Sequence, residues 1–319
     1  ELSQPRLEPI EGGAGAHVDQ HGSGLGAQEA GSDVFDSAEM AEIDGAIVGS
    51  HARKSIGPTD AQTGRSMPLK VIITAGGSGI GQEIARRFSN DGHRVHVCDI
   101  DPAAIEAARR DLPGVGATVT DVGIPAQVEA FFAEALPSLG GLDVLINNHG
   151  IAGPRGPIED LDYDEWDRCI RVNLSGMFYT IRNAVPTFKR QRSGVIINLA
   201  TTSARTMLPK RAAYVAGKVG VLGLTKNCAR ELGPWNIRCN AVLPGFMNNA
   251  RGKGVLAKVA ADKGVPVEQL EKEALQYVSM RTWIEMSEIA DLCAFLASDV
   301  ARHISGQEIA VDGNVEWEE

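Results

Sequence analysis

Short β-branched runs alternate with longer helical patterns from Lys70 almost to the end of the chain, and this alternation limits the fold more than any other feature. The runs KVIITA (70–75), RVHVCD (94–99), ATVTDV (117–122) and LDVLIN (142–147) read as strands. Helical patterns over 79–90, 102–112 and 126–136 separate them. GVIINLA (194–200), IRCNAVL (237–243) and QEIAVDG (307–313) supply three more strands, with helical patterns over 163–190, 211–232 and 287–298. Strands of this length, buried on both faces and joined through helices, form a mostly parallel sheet with helices on both sides. The expectation is one doubly wound α/β domain on seven strands, spanning 67–319, with residues 246–284 as a loop. No internal repeat is visible.

The first 66 residues read differently. They carry seven of the ten net negative charges, are rich in glycine, and contain Phe35 as their one aromatic residue. Such a stretch buries too little apolar surface to offset its ordering entropy, so 1–66 is read as a disordered extension, with Met67 as a natural start. A regulatory or docking tail is the alternative reading of the same stretch. Overall acidity argues against nucleic-acid or anionic-membrane partners, and no apolar run is long enough to span a bilayer. The five cysteines (98, 169, 228, 239 and 293) are scattered, odd in number and without a CxxC pair. They suit reduced thiols in a cytoplasmic protein, and no metal site is expected.

The turn after the first strand, AGGSGIG (75–81), asks what comes so close to its backbone. In doubly wound folds a ligand binds at the carboxyl ends of the strands, beside the first strand–helix turn. The helix N-terminus there offers unpaired N–H groups and about half a positive charge, which suit a pyrophosphate. Asp99 ends the second strand, about 20 residues on, where a carboxylate accepts from the ribose hydroxyls of NAD and repels a 2′-phosphate. The alternative for Asp99 is a cap on the helix that begins at Pro102.

TAGGSGIG resembles the T-G-x-x-x-G-x-G turn of the short-chain dehydrogenase/reductase family, with Ala75 at the first glycine; Gly76 and Gly77 are expected to supply the permissive backbone there. The resemblance runs over 69–314. Asp121 and Val122 match the family's adenine-contacting pair, and NNHG (147–150) is similar to its N-N-A-G element, with His149 in place of Ala. PGFMNN, from Pro244, resembles its P-G loop over the nicotinamide, with Asn249 in place of Thr. The resemblance implies a Rossmann-type fold, NAD as cofactor and a homo-oligomer, a dimer or tetramer. It implies cofactor contacts from Gly76, Gly77, Ser78, Gly79, Ile80, Asp99, Asp121, Val122, Asn148, Gly150, Tyr214, Lys218, Gly245 and Met247.

Tyr214 and Lys218 lie four apart on a helix and so share a face. A phenol with an ordinary pKa near 10 is a poor base at neutral pH, and lowering it by about two units takes roughly 2.7 kcal/mol. An ammonium at ~4 Å supplies up to about 4 kcal/mol at an effective dielectric near 20. The pair therefore suits proton transfer, with Tyr214 as acid or base. A chance surface pair is the bland alternative, and the upstream glycine turn argues against it. The resemblance adds Thr201, at the family's serine position, to hold the substrate oxygen, with Thr202 and Ser203 as rivals. It adds Asn173, which bends its helix and holds a water in a proton relay through Lys218. The reaction implied is interconversion of a secondary alcohol and a ketone. The rivals are an NADPH-type 3-oxoacyl reductase, which Asp99 disfavours, and a non-catalytic nucleotide-binding protein, which the retained Tyr214 and Lys218 disfavour. Polar residues around the pocket (His149, Arg205, Asn249, Arg251) point to a small polar hydroxy acid or sugar-derived alcohol, its carboxylate held by Arg205 or Arg251. Val255, Leu256, Leu270, Leu275, Met280 and Trp283 would instead build an apolar lid.

Overall fold

The computed structural model describes residues 67–316, so the expectation for 1–66 lies outside the described residues. Seven strands form one sheet: β1 (Lys70–Thr74), β2 (Arg94–Asp99), β3 (Gly116–Val119), β4 (Val144–Asn147), β5 (Gly194–Leu199), β6 (Ile237–Pro244) and β7 (Glu308–Val311). Their spatial order is β3-β2-β1-β4-β5-β6-β7. Every neighbouring pair is parallel. The order reverses between β1 and β4, which opens a crevice at their carboxyl ends.

The central strands β1, β4, β5 and β6 have almost no solvated face, and alternate residues serve two cores. Val71 and Ile73 of β1, with Val144 and Ile146 of β4, pack on one side with Ile84, Phe88, Ile289 and Leu296. Ile72 and Leu145 point the other way, to Phe131, Phe132, Ile181 and Phe188. The first core is closed by α1 (Gly79–Asn90), α2 (Pro102–Asp111) and the late α10 (Met286–Ala297). The second is closed by α3 (Pro125–Leu139), α5 (Gly176–Gln191) and α7 (Ala212–Leu232), the last preceded by the one-turn α6 (Ser203–Thr206). This is a single Rossmann-type α/β domain.

Three elements depart from the sequence reading. The third strand stops at Val119, so Asp121 and Val122 lie in the following turn, where Asp121 Oδ1 accepts from Gly123 N at 2.8 Å. The pattern over 163–190 is two helices, α4 (Tyr163–Ile170) and α5, joined by a π-helical stretch, Arg171–Ser175. The 246–284 segment is not a loop: it contains α8 (Ala250–Lys263) and α9 (Val267–Leu275). Asn249 caps α8 through Gly252 N, Gly264 ends it in the left-handed region (φ 66°), and Pro266 stands at the N-cap of α9.

Candidate active site

At the first strand–helix turn the glycines serve close approach more than unusual backbone. A Cβ on Gly76 would lie 2.6 Å from Cβ of Val97, and one on Gly77 2.8 Å from Cβ of Ala104. Neither has positive φ; the left-handed residues of this turn are Ala75 (φ 49°) and Gly79 (φ 55°). The expectation that Gly76 and Gly77 relieve Ala75 of this conformation is therefore corrected: the alanine adopts it, at a cost of roughly 1–2 kcal/mol relative to the ordinary helical region. Gly79 has nothing within 4 Å of its Cβ direction. It is exposed at the start of α1, and Ser78, the N-cap residue, makes no side-chain cap bond. That open backbone at a helix N-terminus fits a pyrophosphate.

The turn is pinned from both neighbouring strands. Asp99 Oδ2 accepts from Gly77 N at 3.1 Å, and Gly76 N donates to Cys98 O at 2.9 Å. Asp99 is not the cap of α2; that is Asp101, which accepts from Ala103 N at 2.9 Å. From β4, Asn148 Nδ2 donates to Ala75 O at 3.0 Å, and Asn148 N donates to Thr74 Oγ1 at 3.1 Å. Thr74 also meets His149 Nδ1 at 2.7 Å. His149 is 3% exposed, and burial, with Lys218 adding to it, lowers its pKa to about 3. The structure thus places His149 beneath the turn, so the substrate contact expected of it is corrected to an internal brace.

The chemistry-bearing residues gather at the ends of β4 and β5. Lys218 is buried on α7, and its Nζ donates to Leu199 O at 2.8 Å and to His149 O at 3.5 Å. Asn173 lies within the π stretch, an insertion that turns its side chain inward. Its amide is held at both ends by Ile151, with Ile151 N donating to Oδ1 at 3.0 Å and Nδ2 donating to Ile151 O at 2.9 Å. A Cβ on Gly150 would lie 2.7 Å from Asn173 Oδ1 and 3.1 Å from Lys218 Nζ, so only glycine lets these two groups converge there. Tyr214, one turn before Lys218, is half-buried. Thr202 is buried with its hydroxyl at 3.4 Å from Pro244 O, whereas Thr201 is partly exposed and its Oγ1 accepts from Ser203 N at 3.2 Å.

On the far side, Gly245 N donates to Val311 O at 3.0 Å, and a Cβ there would meet Cβ of Asp312 at 2.6 Å. Met247 is buried and bridges to Ile284. Asn249, expected at the substrate, spends its side chain on the α8 cap. Arg205 is also drawn away: its Nη2 donates to Glu308 O at 2.7 Å, at the sheet edge. The side chain of Arg251 lies outside the described residues. Thr74 was missed, though legible as the polar end of an apolar strand; Arg211, whose guanidinium lies 4.9 Å from the centre of the Tyr214 ring, ends the basic run SARTMLPKR (203–211) beside the pocket but was not singled out within it.

A Rossmann-type sheet with an open glycine turn at its switch point and a Tyr–Lys helix beside it defines a nicotinamide-dependent oxidoreductase. The family model described as enoyl-(acyl carrier protein) reductase matches residues 74–315, and the chain belongs to the short-chain dehydrogenase/reductase family. It is 35% identical over 257 residues to a 3-oxoacyl-[acyl-carrier-protein] reductase of Staphylococcus aureus, covering 78% of this chain and 98% of the relative. To the D-beta-hydroxybutyrate dehydrogenase of Rhizobium meliloti it is 32% identical, covering 77% and 98%. The crystal structure of levodione reductase superposes with a TM-score of 0.72 at 30% identity, covering 76% of this chain and 95% of that one. The chain is thus an NAD(P)-dependent oxidoreductase. Among the described residues no helix is long and apolar enough to cross a membrane.

Proposed function

We propose that the chain interconverts a secondary alcohol and a ketone with NAD in preference to NADP, using Tyr214 to exchange the proton at the substrate oxygen. The observation that carries this is the convergence of Lys218 and Asn173 on Gly150, one helical turn from Tyr214. When bound, the nicotinamide supplies the hydride chemistry. The glycine turn, through Gly76, Gly77, Ser78, Gly79 and Ile80, would hold its pyrophosphate, and Asp99 its adenosine ribose. Asp121 and Val122 would contact its adenine, and Asn148, Gly150, Gly245 and Met247 its nicotinamide half.

The protein's own part is positioning and proton movement. Thr201 donates to the substrate oxygen and fixes it against the Tyr214 phenol; the bonding of Thr202 to Pro244 supports Thr201 over its neighbour. Tyr214 removes the proton during oxidation and returns it during reduction. Lys218 stabilises the phenolate and passes the proton inward, and Asn173 keeps the relay in register from the π stretch. Removing such an acid–base group costs about 10²–10⁴-fold in rate.

A reductase acting on acyl-carrier ketones is the second reading, favoured by the name of the Staphylococcus relative and opposed by the Asp99 carboxylate where a 2′-phosphate would lie. The small-residue face of α7 supports a homodimer or homotetramer in part. Gly217 and Gly220 pack on Asn173 and Leu174 of the same chain, leaving Ala216 and Gly223 exposed. The test is nicotinamide absorbance on a panel of secondary alcohols and hydroxy acids with each cofactor, for wild type, Thr201→Ser and Thr201→Val. Turnover retained by serine and lost by valine supports the reading. No turnover of any alcohol or ketone, or an unaffected Thr201→Val, removes it.

A further inference from the structure

Every polar side chain that the sequence offered for substrate recognition and that the structure describes is engaged elsewhere: His149 under the turn, Asn249 in a cap, Arg205 on Glu308. Arg211 is engaged as well, but its partners hold it over the Tyr214 ring. It is the N-cap residue of α7, half-buried, with its guanidinium stacked over the Tyr214 ring at 4.9 Å. Its Nη2 donates to Ala152 O at 2.8 Å, and Gly156 N donates to Lys210 O at 3.2 Å. These two bonds join the loop after β4 to the segment before α7. That segment holds two non-glycine residues in the left-handed region, Met207 (φ 54°) and Lys210 (φ 60°). Backbone held in sparsely populated conformations is kept only where its surroundings over-determine it. Here the result is a cation fixed beside the phenol that must meet the reacting oxygen.

We propose that Arg211 is a specificity-determining residue that binds a carboxylate close to the carbinol carbon, so that the preferred substrates are short hydroxy acids and their keto acids. This rests on the proposed role of Tyr214. A guanidinium presents a planar fork of donors that matches a carboxylate, and such charge-assisted pairs are roughly twice as strong as neutral ones. A substrate oxygen at Tyr214 brings a carboxylate on a neighbouring carbon toward the guanidinium that stacks 4.9 Å from the ring centre and already bonds Ala152 O through Nη2. Arg155 and Lys210 are exposed on the two joined segments and add positive charge to the rim of an otherwise acidic protein, which favours approach of an anion.

The experiment is calorimetric titration of malonate, and of its neutral diamide malonamide, into the full chain loaded with whichever nicotinamide dinucleotide binds more tightly. Wild type binds malonate more tightly than malonamide. Arg211→Met weakens malonate by roughly thirtyfold or more, Arg211→Lys restores part of that loss, and the malonamide affinity does not follow the same series. In turnover, the ratio of kcat/KM for a hydroxy acid to that for its methyl ester falls by a similar factor in Arg211→Met and partly recovers in Arg211→Lys. Equal malonate affinity in wild type and Arg211→Met, malonamide bound as tightly as malonate, or no malonate binding by wild type overturns the proposal. If Tyr214→Phe were as active as wild type, the catalytic reading would fall instead, and the malonate series would still report on Arg211.

Discussion

The two flanks of the cleft are built on different principles. On the β1–β2–β4 side, the chain's own hydrogen bonds fix the parts that would hold a cofactor: Asp99 and Asn148 grip the glycine turn from opposite strands, and Thr74 and His149 lock beneath it. On the 246–284 side, helices α8 and α9 are held by caps and rim contacts. Asn249 caps α8, Asn248 Nδ2 donates to Glu285 Oε1 at 2.5 Å, and Trp283 bonds Glu271 and meets Phe246 edge-on. A preorganised dinucleotide site costs little to fill, whereas a flank held by exposed caps can shift to suit what it covers. In the proposed reading most cofactor contacts fall on the first flank, Gly245 and Met247 excepted, and the substrate is read at Arg211, outside the 246–284 segment.

This contrast can be broken at several points. A large effect is expected at Lys218: Lys218→Met should lower kcat by about 10²–10⁴-fold in steady-state assays. A loss below tenfold would mean that the buried ammonium is structural. Next comes Asp99. If its carboxylate receives the ribose diol, kcat/KM should favour NAD⁺ over NADP⁺ by about a hundredfold, on the order of 3 kcal/mol. Asp99→Ser should erode that ratio, and equal use of both cofactors by wild type would refute the assignment.

His149 gives a smaller effect with a definite sign. Its folded pKa of about 3 lies below the ordinary 6.5, so the unfolded chain binds the proton first. The stability it contributes is complete above about pH 6.5 and declines as pH falls toward about 3. From about pH 7 to about pH 5 the loss should be roughly 2 kcal/mol, read by denaturant unfolding. His149→Ala should flatten that slope, and an unchanged slope would place the acid sensitivity elsewhere. The smallest effect concerns Ala75. Ala75→Gly relieves the left-handed strain but frees the unfolded chain, for a net gain of up to about 1 kcal/mol, or about 2–4 °C in Tm. A clear loss of stability would show that Ala75 is not strained.

The legibility of each flank in the sequence follows from the same difference. Strand runs such as VIIT and VLIN are apolar because both faces are buried, so period and composition revealed them, and with them the turn residues at their ends. The π stretch around Asn173 was hidden because one inserted residue leaves the helical pattern on both sides intact. The third strand was overrun because Thr120 continues the β-branched pattern while only its N–H, donating to Asp99 O, still pairs with β2. Helices α8 and α9 carried readable signals in Asn249, Gly264 and Pro266, but α8 lacks a marked apolar stripe and α9, though amphipathic, is only nine residues long. Arg205 and Arg211 are alike in sequence; the fold sets the first against Glu308 on a distant strand and the second over the Tyr214 ring and against Ala152 O.

The central claim is that the prebuilt cofactor flank serves a proton transfer at Tyr214. It is tested most directly by Tyr214→Phe, comparing single-turnover reduction of the bound nicotinamide with the affinity for the reduced dinucleotide. The account predicts a rate lower by about 10³-fold or more with an affinity changed by less than about threefold, because the phenol acts in the transition state. A rate within about tenfold of wild type, at the same affinity, would contradict it.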